Sequence, residues 1–182
     1  MKNIRVKDIM IPVDDYLKVK EDESLYNVFQ AWENERRAAP NRAHRDVLVV
    51  DDDGGFLGKL TMADIFRGLE PNYAKLFFDR KNTVLTRDFY RDAVKDFNLW
   101  QDPIKNLCER GSRLKVSEIM HVPEKDEFLN EEDSLEKALH EYVMGYHQPL
   151  LVRNSDGITG VLRFEDIYNV VRDSMLACPV PA

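Results

Sequence analysis

The stretch Val6-Lys7-Asp8-Ile9-Met10 recurs as Val116-Ser117-Glu118-Ile119-Met120, and Glu21-Asp22-Glu23-Ser24-Leu25 recurs as Glu131-Glu132-Asp133-Ser134-Leu135, both displaced by 110 residues. Further on, Leu48-Val49-Val50 matches Leu150-Leu151-Val152, Gly55-Phe56-Leu57-Gly58 matches Gly157-Ile158-Thr159-Gly160, and Asp64-Ile65 matches Asp166-Ile167, now displaced by 102. A chain that repeats itself in this order is built from two copies of one unit. The first copy carries eight extra residues between its first helix and its central strand.

Each copy reads as strand, helix, strand, strand, helix. Tyr16-Leu17-Lys18-Val19 alternates as a short strand, and Leu25, Val28, Phe29 and Trp32 recur at helical spacing behind a Ser24 cap. Val47 to Val50 is a buried strand, Asp52-Asp53-Gly54-Gly55 has turn chemistry, and Phe56 to Leu60 returns as its hairpin partner before a helix from about Thr61 to Phe66. In the second copy Leu135, Ala138, Leu139 and Tyr142 form the buried helical stripe. The segment between the copies is longer than an ordinary loop and rich in aromatic residues. Thr86 can cap a helix holding Phe89, Ala93, Val94 and Phe97, and Asp102-Pro103 starts a second that Gly111 stops. Its aromatics Tyr73, Phe77, Phe78, Phe89, Tyr90, Phe97 and Trp100 are expected to pack on the repeats, the alternative being a surface that docks a partner.

Composition excludes several functions. With 33 acidic against 26 basic residues the net charge is −7, so no overall field gathers nucleic acid. Apolar runs extend only a few residues, where a membrane span needs about 20; the expectation is a cytoplasmic protein without membrane contact. Cys108 and Cys178 stand apart without a CxxC pattern, which argues against a disulfide framework or a zinc site, and Cys108 is expected to be packed in a helix. No metal-ligand spacing, nucleophile–base pairing or glycine-rich phosphate loop is legible, so the chain is not expected to be an enzyme and no catalytic residue is assigned.

The succession V-x-D/E-I-M, an S-L helix start, a hydrophobic strand with a D-G turn, then G-h-h-T/S-x-x-D resembles the cystathionine-β-synthase (CBS) domain. Two in tandem resemble a CBS pair, or Bateman module. The resemblance covers about 1–69 and 114–175. It implies an α+β fold of two CBS-type βαββα repeats related by a pseudo-twofold axis: 1–69 as the first repeat, 70–113 as a helical linker, and 114–182 as the second repeat with a tail. It also implies clefts that hold AMP, ADP, ATP or S-adenosylmethionine, and a disc-like homodimer.

Thr61 and Asp64 complete the nucleotide motif in the first copy. Thr61 stands where a helix begins, so its hydroxyl and the first-turn N–H groups can receive a phosphate, while Asp64 can accept the hydroxyls of a ribose. T-x-x-D is equally a capping box that satisfies the helix end, and the residues alone support either reading. In the second copy Arg163 replaces the hydroxyl and Asp166 remains. Arg163 can meet a phosphate with its guanidinium fork or simply pair with Asp166 across one turn. The resemblance tips the balance towards a site and places adenine near Ile11 and Pro12 with His44, Arg45 and Asp46 in one copy, and near His121 and Val122 with His147, Gln148 and Pro149 in the other. Arg36, Arg37, Arg42, His44 and Arg45 form a local basic cluster in and beside the eight-residue insertion, either a solvated loop or a phosphate-gathering one.

The resulting expectation is a non-enzymatic regulatory module that binds an adenosine ligand and signals by contact to an effector protein. The alternative is a ligand-free structural dimerisation module with degenerate clefts, for which the replacement at Arg163 speaks. A second apolar stripe on the last helix of each copy, Met62 with Phe66 and Phe164 with Tyr168, supports a homodimer unless the central helices cover it.

Overall fold

The doubled strand–helix–strand–strand–helix order is present in a computed structural model of the protein, which describes residues 4–38, 46–78, 87–101, 104–145 and 148–178. In chain order the elements are β1 (Ile11–Pro12), β2 (Lys18–Lys20), α1 (Leu25–Ala38), β3 (Asp46–Val50), β4 (Phe56–Thr61), α2 (Met62–Leu69), α3 (Asn72–Phe78), α4 (Arg87–Asp96), α5 (Ile104–Arg113) and α6 (Val116–Ile119). The second copy continues with β5 (Phe128–Asn130), α7 (Leu135–Met144), β6 (Leu150–Arg153), β7 (Ile158–Leu162) and α8 (Phe164–Leu176). The chain is α+β, with one sheet ordered β2-β3-β4 and the other β1-β7-β6-β5. In each sheet the strand that leads into the acidic motif, β2 or β5, runs parallel to the central strand, β3 or β6, and a hairpin returns antiparallel to it.

The compact units do not follow the order of the copies. Lys18–His121 forms one, and the chain up to Leu17 joins the chain from Val122 onwards in the other. The hydrogen bonds show why. Val6 and Lys7 donate their N–H groups to the carbonyls of Asp133 (2.9 Å) and Glu131 (3.0 Å), while Val116 and Ser117 donate to Glu23 (3.0 Å) and Glu21 (2.9 Å). Each V-x-D/E-I-M segment therefore docks on the acidic motif of the opposite copy. Val6 is wholly buried in the core formed by Leu129, Leu135, Ala138, Leu150, Val152, Leu162 and Ile167. In the Lys18–His121 unit, Val19, Leu25, Val28, Val47, Val49, Leu60, Ile65 and Val116 are buried.

The exchanged strand β1 lies on β7, with Ile11 opposite Val161 and Pro12 opposite Gly160. A Cβ at Gly160 would stand 2.7 Å from the Ile11 carbonyl oxygen and 2.6 Å from the Met10 sulfur, so only glycine admits the segment. Gly160→Val is expected to destabilise the protein by about 1–3 kcal/mol through overpacking. Gly111 offers the contrast: it lies inside α5 with its nearest prospective Cβ neighbour, Leu69 Cδ2, at 4.0 Å. Gly111→Ala is expected to stabilise by roughly 0.5–1 kcal/mol through helix propensity. Chemical denaturation of the two variants checks both signs; a neutral Gly160→Val would contradict the β1–β7 contact.

Among the described residues between the copies, α3, α4 and α5 are helical, and they differ from the sequence reading in detail. α5 runs through Gly111 to Arg113 instead of stopping there, because the glycine is buried within the helix and its backbone keeps helical bonding. Cys108 on that helix is exposed, not packed. α3 has no counterpart in the sequence pattern, and Thr86 and the Asp102-Pro103 start lie outside the described residues. Ala93 and Leu99 form a small core with Tyr73 and Phe97, and Trp100 meets Phe66 and Tyr73 edge to face, with ring centroids at 6.3 and 6.1 Å. The α1 stripe is also narrower than expected: Leu25 and Val28 are buried, while Phe29 stays half exposed against Trp32.

Candidate functional site

Strand β4 ends by delivering Thr61 to the cap of α2 in extended conformation. The Thr61 hydroxyl accepts the Asp64 N–H at 3.3 Å, and Asp64 Oδ2 accepts both the Thr61 N–H (3.0 Å) and its hydroxyl (2.6 Å). This is a complete capping box. Arg67, one turn on, donates to Asp64 Oδ1 at 3.1 Å, so a carboxylate that is 6% exposed has its charge balanced locally.

Two further residues converge on this corner. Asp46 on β3 stands opposite Thr61 in the ladder. His121 bridges Lys59 of β4 through two backbone hydrogen bonds of 2.9 and 2.8 Å, and its carbonyl comes so near Gly58 that a Cβ there would lie 2.7 Å away. Lys59, wholly buried, shares the sheet face of Thr61 by strand alternation. Neither Lys59 nor Arg67 was singled out from sequence; a lysine inside an otherwise apolar strand run was the available signal for the first.

The equivalent corner of the other unit is built differently. Arg163 takes the cap position of α8, and Asp166 accepts its backbone N–H at 3.1 Å, its Nε–H at 3.0 Å and its Nη2–H at 2.7 Å. That hydrogen bond raises the Arg163 pKa, with burial acting against it. Asp166 therefore caps the helix without needing a hydroxyl at position 163, which is why the pattern survives the loss of Ser/Thr. Close by, the Tyr142 hydroxyl donates to the Leu162 carbonyl and accepts the Leu150 N–H at 3.3 Å, joining the start of β6 to the end of β7. Pro149, buried and preceded by a cis peptide from exposed Gln148, leads into β6.

The exchange of segments regroups the sequence candidates. Ile11 and Pro12 lie beside β7, which leads to Arg163 and Asp166, and so accompany Gln148 and Pro149 rather than Asp46. His121 accompanies Thr61, Asp64 and Asp46. The pairing expected from sequence is thus crossed, because a local motif does not reveal which copy its flanking segment joins. Val122, 62% exposed, falls in the other unit from His121. His44, Arg45 and His147, together with Arg42, lie outside the described residues. Among the described residues no group of three or more His, Cys, Asp or Glu is placed to hold a metal ion, and no helix is long and apolar enough to cross a membrane.

These features define a duplicated α+β module with a polar, aspartate-bearing helix start in each unit. Residues 6–71 match the family model for the CBS domain, and the chain has the fold of CBS-domain pair proteins. It is similar to a CBS domain-containing protein of Bacillus anthracis at 20% identity, covering 93% of this chain and 94% of that one with a TM-score of 0.60. CBSX2, a CBS-pair protein of Arabidopsis thaliana, is 14% identical over 97% of this chain and 100% of its own, with a TM-score of 0.62. A structure of CBSX2 in complex with AMP superposes with a TM-score of 0.57 at 14% identity over 94% of this chain and 98% of that one. The CBS domain of a bacterial CNNM/CorC family Mg2+ transporter, in complex with ATP, gives 0.56 at 16% identity over 92% of this chain and 87% of that one. No curated protein matches the sequence.

Proposed function

We propose that the protein is a non-enzymatic regulatory module that binds an adenosine ligand and passes its occupancy to an effector protein in the cytoplasm. The carrying observation is the corner at the start of α2, where Thr61, Asp64, Asp46 and the His121 backbone meet within one unit. There a ribose can take Asp64 from Arg67, and a phosphate can take the Thr61 hydroxyl and first-turn N–H groups. Similar folds solved in complex with AMP and with ATP support AMP, ADP or ATP; S-adenosylmethionine is proposed as a further candidate on the same adenosine chemistry. Native mass spectrometry of protein purified from its expression host tests this: a retained adenosine compound is expected, and removal of all small molecules followed by no rebinding of any of the four would contradict it.

The second corner, with Ile11, Pro12, Gln148 and Pro149 beside it, is proposed as a weaker place for the same ligand class. Arg163 must leave Asp166 before either can be used, which favours ligands with more phosphate charge. Arg163→Ser is expected to weaken ATP there more than AMP, by about 1 kcal/mol or more for a lost charge-assisted bond. Equal losses in titration calorimetry would mean that the fork stays on Asp166. The closed Arg163–Asp166 pair is also the observation that favours the second reading, a ligand-free structural module.

A homodimer completes the proposal. Met62 and Phe66 on α2 remain 44% and 48% exposed, and Phe164 and Tyr168 on α8 remain 50% and 55% exposed. Trp100 covers Phe66 only along one edge. Such faces bury well against a second copy. Light scattering is expected to show a dimer that Phe66→Glu with Tyr168→Glu dissociates; a wild-type mass near 21.3 kDa at micromolar concentration would refute it.

A further inference from the structure

Trp100 holds left-handed backbone, with φ of 58°, and Asn98 two residues before it does the same at 51°. For a bulky side chain that region is an outlier, and such outliers gather at binding sites and switches. The indole is nevertheless 40% exposed, so burial does not explain why it is held there. Two other rings meet it. Phe66 of α2, 48% exposed, lies at a centroid distance of 6.3 Å and an interplanar angle of 76°, and half-buried Tyr73 of α3 lies at 6.1 Å and 71°.

A buried carboxylate supports the cluster. Glu70 accepts the Trp100 N–H at 2.6 Å and the Asn72 N–H at 3.1 Å, and among the described residues it forms no ion pair. The neighbouring cations are engaged elsewhere: Arg67 donates to Asp64 at 3.1 Å, and Arg110 donates to the Leu69 carbonyl. The faces of aromatic rings are electronegative, so three partly exposed rings around a carboxylate without a cation attract positive charge and repel negative. None of the three rings takes part in the hydrogen bonds of the Thr61–Asp64 cap. Guanidinium is the cation that suits rings left half in water, because it is planar, stacks on a ring face and is more weakly hydrated than ammonium.

We propose that the cluster of Phe66, Tyr73 and Trp100 docks an arginine side chain of a partner protein, the guanidinium on the ring faces and its charge answered by Glu70. This gives the effector protein of the regulatory reading a chemistry, and it rests on that reading for the partner's role; the contact itself does not require nucleotide. Only Phe66 is shared with the face assigned to the homodimer. The peptide acetyl-Gly-Arg-Gly-amide is titrated into the full chain while the indole N–H signals of its two tryptophans are followed by NMR. Trp100 reports the cluster, and Trp32, whose indole nitrogen is buried, is the internal control. A citrulline peptide keeps the shape of arginine and loses the charge, and a lysine peptide keeps the charge and loses the plane.

A saturable shift of the Trp100 signal alone is expected with the arginine peptide, with citrulline about tenfold weaker and lysine in between. Glu70→Gln and Phe66→Leu should each weaken the arginine peptide by about threefold or more. Phe66→Leu, an apolar change at a half-exposed position, keeps the test valid if Glu70→Gln does not fold. An unmoved Trp100 signal, a citrulline or lysine peptide that binds as tightly as arginine, or affinity unchanged by Phe66→Leu would each overturn the proposal. AMP titrated into the same sample separates the two readings: AMP bound and the arginine peptide refused overturns the docking contact alone.

Discussion

AMP or ATP at about a hundred times its dissociation constant is expected to add about 2.7 kcal/mol to the stability of the folded chain, raising the melting temperature by roughly 5–10 °C for a protein of this size. Such a gain follows from linkage alone, since the Thr61–Asp64 corner exists only in the folded state. Asp64→Asn separates binding from folding. It weakens the cap, costing about 1 kcal/mol in the absence of nucleotide, and removes the charge that the ribose hydroxyls would bond. The ligand-induced shift, measured from the variant's own starting point, should therefore collapse. A series with AMP, ADP, ATP, S-adenosylmethionine and guanine nucleotides ranks the candidates in one experiment. Absence of any shift with an adenosine compound would leave the structural module as the better reading.

Glu70→Ala is expected to be the most damaging single change in the linker region. Glu70 is 4% exposed, and its carboxylate accepts the Asn72 N–H at 3.1 Å and the Trp100 N–H at 2.6 Å. Trp100 and Asn98 both hold left-handed backbone, with φ of 58° and 51°. A non-glycine residue adopts that region at a cost of about 1–2 kcal/mol. Here the buried carboxylate secures the turn by bonding Trp100, while the indole Nε1–H donates to the Tyr73 hydroxyl at 3.2 Å. Truncation leaves two N–H groups without their acceptor, for an expected loss of about 2–4 kcal/mol, or roughly 5–15 °C. Glu70→Gln should fall between, since an amide oxygen can serve one N–H but its NH2 opposes the other. Thermal denaturation followed by tryptophan emission measures both; a loss of stability no larger than that of an exposed substitution would mean that the turn is held by its aromatic contacts instead.

Much of this architecture is legible in the repeats. Local periodicity identifies β3, β4 and α2 because a buried run, an Asp-Gly-Gly turn and a Thr cap each act over a few residues. The exchange of β1 and α6 between copies is not legible, because Val6 and Val116 belong to identical local patterns and either acidic motif can accept their N–H groups. That crossing regrouped Ile11 with Arg163 and His121 with Thr61. Gly111 has the freedom that ends many helices, yet here it lies inside α5, which continues to Arg113. At the site itself, T-x-x-D identifies the residues but not their partners. Arg67 and the bidentate closure of Arg163 on Asp166 depend on rotamers that no spacing rule specifies.

Titration calorimetry of AMP and ATP into ligand-free wild-type protein and into Asp64→Asn tests the adenosine reading most directly. Expected is saturable binding to the wild type and an affinity at least about tenfold lower in Asp64→Asn. No heat of binding in folded wild-type protein, or undiminished affinity in Asp64→Asn, would contradict it.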